Sequence, residues 1–286
     1  MKNILVTGGK GQLALCIKHL IKKVTDFSFI FVDSDELDIT RNEEVINFFK
    51  SRKIDYCINC AAYTNVDKAE SEKELAESVN EKGVKYLAES CKKHNVVLIQ
   101  ISTDFVFDGK QSIFYKENDK TNPLGVYGLT KLNGEIATKK YLENYIIIRT
   151  SWLYSEYGNN FMKTMLRLGK ERNLLSIVSD QIGTPTYARD LARTVLQFIF
   201  DNNNTFGIYH YSNEGVASWY DFAKAIFEET STKIKIIPIK SKDYLTLALR
   251  PKFSVLDKSK IKNTLQIEIP HWRDSLKEAV ATYNRE

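Results

Sequence analysis

Apolar positions in the first half of the chain fall into short, nearly continuous runs of Ile, Val, Leu and Phe, separated by longer stretches of helical period. The runs at 3–6, 28–32, 56–59, 96–101 and 145–149 predict strands, and the stretches at 12–23, 42–52, 72–93 and 127–141 predict helices. A run without strict polar alternation is the pattern of a strand covered on both faces. Strand and helix in regular succession therefore predict an α/β fold, a doubly wound parallel sheet of the Rossmann type.

After residue 150 the rhythm loosens into apolar segments at 161–170, 174–178, 188–200, 208–211 and 219–229, with a final helix from 274. Residues 1–150 are thus expected to form the sheet domain. Residues 151–286 are expected to form mainly a smaller C-terminal lobe, with later segments returning to the sheet. No repeat or low-complexity linker separates the two, so the lobe should pack directly on the sheet.

Composition narrows the function. With 41 Lys+Arg against 36 Asp+Glu, the net charge is only +5, and the basic residues are scattered in pairs such as Lys92-Lys93 and Lys139-Lys140. That is a solvated surface, and it points to no nucleic-acid partner. No apolar run nears the length of a membrane span, and the start passes into Thr7-Gly8-Gly9 without a leader pattern, so no membrane partner and a cytoplasmic location are expected. Four cysteines in 286 residues make no disulfide framework. Cys57-x-x-Cys60 lies on an expected strand without a second Cys/His pair, so both read as core thiols and no metal site is expected.

The chemistry begins at Gly8-x-x-Gly11-x-x-Ala14, placed where the first strand turns into the first helix. Gly8 suits a tight turn, Gly11 lets the backbone approach a diphosphate, Ala14 permits close helix packing, and the helix N-terminus attracts phosphate. Asp33 ends the second strand 22 residues beyond Gly11, where a carboxylate accepts both hydroxyls of an adenosine ribose. NADH is therefore the expected cofactor, with NADPH as the alternative; Asp38 and Ile39 would lie near the adenine. Tyr127 and Lys131 stand at i and i+4 on one helix face, an arrangement in which an ammonium can draw a phenol's pKa toward neutrality. Ser102-Thr103-Asp104 follows the fourth strand, at the carboxyl edge where ligands of parallel sheets lie.

These motifs resemble the extended short-chain dehydrogenase/reductase family, and within it the reductases of dTDP-linked 4-keto sugars. Further segments carry the likeness: Glu36 to Thr40, Asn59 to Glu70, Ser102 to Gly109, Arg149 to Tyr154, Asp180-Gln181-x-Gly183-x-Pro185-Thr186 and Arg250-Pro251-x-x-Ser254. The resemblance implies that hydride passes to C4 of a 4-keto-6-deoxyhexose on dTDP while Tyr127 supplies a proton. Lys131 would hold the nicotinamide ribose and Thr103 the sugar at the reacting carbon. Gln12 and Leu13 would join Gly8 and Gly11 at the cofactor, with Ala61, Ala62, Tyr63 and Thr64 along it. Asp104 and Trp152 would line the sugar site in the C-terminal lobe, and Arg250 would meet the diphosphate or else tie down a loop. A homodimer is compatible with the family, but Cys16 stands where one branch carries a metal-linked dimer glutamate, which argues against a magnesium bridge.

Rival readings remain at this point. A 4,6-dehydratase of the same family carries Thr-Asp-Glu where this chain has Phe105 in third place, and phenylalanine transfers no proton. Enzymes that epimerise before reducing use a downstream Cys, whereas all four cysteines here precede residue 92. Reduction to the talose rather than the rhamnose epimer stays open. So does a noncatalytic regulatory subunit, since one bound to a eukaryotic methionine adenosyltransferase shares the resemblance.

Overall fold

The apolar runs become strands, and all of them enter one sheet. A computed structural model describes residues 1–285. Its central strands are β1 (Lys2–Thr7), β2 (Phe27–Val32), β3 (Tyr56–Asn59), β4 (Val97–Thr103) and β5 (Tyr145–Thr150). A sixth strand, Gly207–His210, pairs with β5. All pairings are parallel, in the order β2, β1, β3, β4, β5, Gly207–His210.

Alternate residues of each strand feed two cores. Ile4, Val6, Ile58, Ile99 and Ile148 pack with helix α1 (Gln12–Leu20) and the helix Ala188–Phe200. Leu5, Cys57 and Leu98 face the other way, onto α2 (Asn42–Lys50) and the helix Val84–His94. Both faces of the sheet are therefore dry, which is why the strands read as unbroken apolar runs. A third core joins Tyr154, Met162, Phe222, Ile226, Trp272 and Leu276 in the C-terminal lobe.

Differences from the sequence reading are local. The helix expected at 72–93 is two helices, Lys73–Glu77 and Val84–His94, joined by a wider i→i+5 turn at Ser78–Gly83. The wide turn has a purpose, because Asn80 within it brackets the backbone of Tyr63, accepting from its N–H at 2.9 Å and donating to its carbonyl at 3.0 Å. A lysine and a proline mask the strand pattern at Lys235–Ile239, which pairs with Leu174–Val178 at the surface. Ser259–Leu265 forms a further short helix.

Beneath the ends of β4 and β5 lies a buried ionic lattice. Glu135, fully buried on the helix Val126–Tyr141, accepts from the Ser102 hydroxyl at 2.5 Å and from Arg149 Nε and Nη2 at 2.9 and 2.7 Å. Arg149 also reaches the Glu117 carbonyl at 3.2 Å and lies 3.4 Å from His210 Nε2. Burial, with Arg149 next, holds the His210 pKa down to about 3, so the ring stays neutral beside the guanidinium. Two strands, a helix and the sixth strand are thereby fixed to one another. Arg149→Met keeps the bulk but leaves Glu135 uncompensated, and urea titration should show a loss of about 3–5 kcal/mol. A loss below about 1 kcal/mol would mean that the carboxyl is not held as a buried anion.

Candidate active site

Only between β1 and β3 do successive connections leave the sheet in opposite directions, so a crevice opens there at the carboxyl edge. A cleft of about 640 Å³ occupies it, running from Gly11 and Leu13 past Ala61 and Thr103 to Trp152. The loops after β1, β3, β4 and β5 all contribute to its wall.

Gly8 shapes the first loop from below. Its φ of +63° is a left-handed conformation, and a Cβ there would lie 2.7 Å from the Ala61 backbone nitrogen. Gly11 opens α1, whose start carries no side-chain cap and no acidic residue in its first turn. The donors at that end are thus free for an anion, which the helix dipole favours. Two buried polar atoms of cleft residues, Asp104 Oδ2 and Thr150 Oγ1, also have no hydrogen-bond partner in the protein. Exposed donors at one end and orphaned acceptors at the other fit a dinucleotide and a polar substrate.

Tyr127 and Lys131 enter from one face of the helix Val126–Tyr141, whose first free N–H is met by the Glu70 carboxylate at 2.8 Å. The pair does not behave as the spacing alone suggested. Lys131 Nζ donates to the Ile101 carbonyl at 2.7 Å, and Tyr127 is pushed up to about 12 by burial, with Asp104 adding to the shift and Thr103 opposing it. Burial also brings Lys131 down to about 8, against the pull of Glu135 and Cys60. In this structure the phenol therefore holds its proton firmly, and the lysine is tied to β4 rather than to the phenol. Phe105 packs edge-on against Tyr127, with ring centroids 5.6 Å apart.

Most of the expected residues meet in the cleft. Gly11, Gln12, Leu13, Ala61, Ala62 and Thr64 line one part, and Thr103, Asp104, Tyr127, Lys131, Trp152 and Arg250 the other. Gly8 and Tyr63 sit behind the wall; the Tyr63 hydroxyl donates to Glu72 at 2.6 Å. Asp33 lies at the end of β2, beyond the lined cleft, with Lys10 Nζ 3.5 Å away. Of the pair expected near the adenine, Ile39 packs against Gly83 in the core, and the half-buried Asp38 is engaged by Thr40 and Arg41. Arg250 forms a two-pronged pair with Asp67 at 2.6 and 3.2 Å, so it ties down its loop while still facing the cleft. Cys57 is a core thiol as expected, but Cys60 lies one step past β3 and lines the cleft.

Several residues escaped the sequence reading. Lys10, flanked by two glycines, reads there as a solvated loop cation; in space it reaches Asp33 and, at 2.9 Å, Asp35. Trp219 reads as the first apolar residue of a helix, yet its indole stacks on Trp152 at the cleft wall. No local pattern marks either contact.

With this geometry in place, comparison with known proteins is direct. The model of the family described as the RmlD substrate binding domain matches residues 1–285. The chain belongs to this family. A dTDP-4-dehydrorhamnose reductase of Aggregatibacter actinomycetemcomitans is 44% identical to it, over 97% of this chain and 98% of that protein. The crystal structure of a dTDP-4-dehydrorhamnose reductase from Clostridium acetobutylicum superposes with a TM-score of 0.95 at 41% identity, covering 99% of both chains. One from Bacillus anthracis, solved in complex with NADP, superposes with a TM-score of 0.94 at 36% identity, covering 99% of this chain and all of that one. Among the described residues no helix is long and apolar enough to cross a membrane.

Asp104 offers a test of the cleft's dryness. Burial pushes its pKa up to about 6, against the opposing pull of Ser254 and Thr103. A raised carboxyl pKa favours folding while the acid is protonated, so this contribution is whole below pH 4 and is lost as pH rises to about 6. Asp104→Asn should therefore gain on the wild type by up to about 3 kcal/mol between pH 4 and 7 in paired urea titrations. A difference that stays flat over that range would place Asp104 in contact with water.

Proposed function

We propose that the protein is a nicotinamide-dependent dTDP-4-dehydrorhamnose reductase, which reduces the C4 ketone of dTDP-4-dehydro-L-rhamnose to the alcohol of dTDP-L-rhamnose, the last step of dTDP-rhamnose synthesis for surface polysaccharide. The observation that carries this reading is a half-buried tyrosine that shares the switch-point crevice with a lysine and a threonine, in an RmlD-family chain. Close relatives at 35–44% identity bear the same enzyme name over nearly their full length.

A reduced nicotinamide, when bound, supplies the hydride. Gly11 and the α1 N-terminus would hold the diphosphate, Asp33 the adenosine ribose, and Ala61 to Thr64 the run between them. Lys131 would hold the nicotinamide ribose and stabilise the phenolate that remains after proton transfer. Tyr127 would give its proton to the developing alkoxide, and Thr103 would hydrogen-bond the same oxygen and hold it in line. Asp104 and Trp152 would flank the sugar, and Arg250, steadied by Asp67, would face the substrate diphosphate. A noncatalytic binding role would show itself as cofactor uptake without oxidation of NADH or NADPH in the presence of the dTDP-4-keto sugar.

The chemistry is tested by incubation with dTDP-4-dehydro-L-rhamnose and NADH or NADPH, with NMR of the product to read the C4 configuration. Tyr127→Phe should lower kcat by about 10²- to 10⁴-fold and leave cofactor affinity nearly intact, because only the transferable proton is removed. Retention of more than about half the wild-type kcat would rule out Tyr127 as the donor.

Cofactor choice follows from two opposed side chains. Asp33 favours the free ribose of NADH, while Lys10 stands close enough to neutralise it and to meet a 2′-phosphate; the Bacillus anthracis relative was solved with NADP. We infer a preference for NADH of about tenfold, the lower end of what one charged hydrogen bond contributes, because Lys10 offsets part of the Asp33 charge. Asp33→Ser should shift the ratio of kcat/KM values toward NADPH, and Lys10→Met should shift it toward NADH. Steady-state kinetics with both cofactors decide it, and a ratio unmoved by either substitution would assign the ribose to other residues.

A further inference from the structure

One sequence segment has no role in the chemistry above: Asp180-Gln181-Ile182-Gly183. Its side chains form a connected line to the cleft. Asp180 Oδ1 accepts from the N–H and the hydroxyl of Ser241, each at 2.7 Å. Gln181 donates to the Ser241 hydroxyl at 3.1 Å and accepts from the indole N–H of Trp219 at 3.1 Å. Trp219 stacks on Trp152, with ring centroids 3.6 Å apart and planes within 9°.

Trp152 needs such support. Its φ of +45° lies in the left-handed region, which a side chain with a Cβ adopts only when its surroundings enforce it. Its carbonyl accepts from the Thr186 N–H at 3.2 Å, and a Cβ on Gly183 would lie 2.7 Å from the indole carbon Cε2. The indole is thus held between Trp219 and a position that admits only glycine. Trp219 is itself fixed as the first residue of the helix Trp219–Glu229, behind a Ser218–Asp221 capping box.

We propose that Gln181 is a positioning residue: through Trp219 it holds Trp152 in its left-handed conformation, so that the indole forms a rigid apolar wall for the deoxyhexose. The wall's role in sugar binding rests on the reductase reading; the positioning itself does not. Gln181→Leu removes the acceptor at nearly constant volume, whereas Gln181→Glu keeps it. Near-UV circular dichroism of the ligand-free protein reads the stacked indoles, with Trp219→Phe as the reference for their loss. Gln181→Leu should move the tryptophan bands toward that reference, and Gln181→Glu should keep the wild-type spectrum. Kinetics should then show KM for the dTDP-4-keto sugar raised by about three- to tenfold in Gln181→Leu, with kcat and the cofactor KM within about twofold of wild type. A wild-type spectrum for Gln181→Leu overturns the proposal. So does a fall in kcat and cofactor affinity together with a lowered Tm, the mark of general loosening. If the wild type itself turned over no dTDP-4-keto sugar, the reductase reading would fail while the spectra still decided the positioning.

Discussion

The placing of the site follows from the common direction of six strands. Because they run parallel, all carboxyl ends lie along one edge, and each strand must be recovered by a crossover that covers a face of the sheet. The crossovers bury both faces and free the carboxyl edge for loops. Reversal of the winding at β1 then leaves one crevice uncovered, and four loops converge there. Backbone donors, a helix N-terminus and strand ends meet there.

Holding that edge in register has its own requirement. Loops alone would let the ends of β4 and β5 drift, yet Ser102, Thr103, Thr150 and Trp152 must keep fixed separations across them. The Ser102–Glu135–Arg149 lattice meets this need with charge buried under the site. A buried ion pair is weak as a source of stability but strong as a geometric constraint, since any slip of one strand breaks several charged hydrogen bonds at once. Glu135 stands four residues beyond Lys131 on the same helix, so the lattice that fixes the strands also raises the lysine's hold on its proton.

The fold and much of the site were legible for a simple reason: their signals are local. A βαβ unit declares itself within about 30 residues, and Gly8, Gly11, Tyr127 and Lys131 act through spacings that a strand turn or a helix turn preserves. The remainder depends on segments far apart in sequence. Lys10 meets Asp33 only because β1 and β2 are neighbours, Arg250 meets Asp67 across 183 residues, and Trp219 meets Trp152 by the packing of the lobe on the sheet. The inward turn of the loop after β2, which gives Ile39 to the core, likewise has no local signature.

The tyrosine's environment carries the last step. Spacing suggested a lysine that pulls the phenol toward neutrality, but burial dominates and keeps the phenol protonated. For a ketone reduction this is the useful state, because the donor must still hold its proton when the alkoxide begins to form. A phenol already half ionised at neutral pH would have little to give. On the proposed reading the lysine would act after transfer, when the phenolate is left in the cleft, and its tether to the Ile101 carbonyl keeps the ammonium there. Burial sets the resting state, and charge is available for the state that follows. Such a division lets a weak acid act near neutral pH without being ionised beforehand.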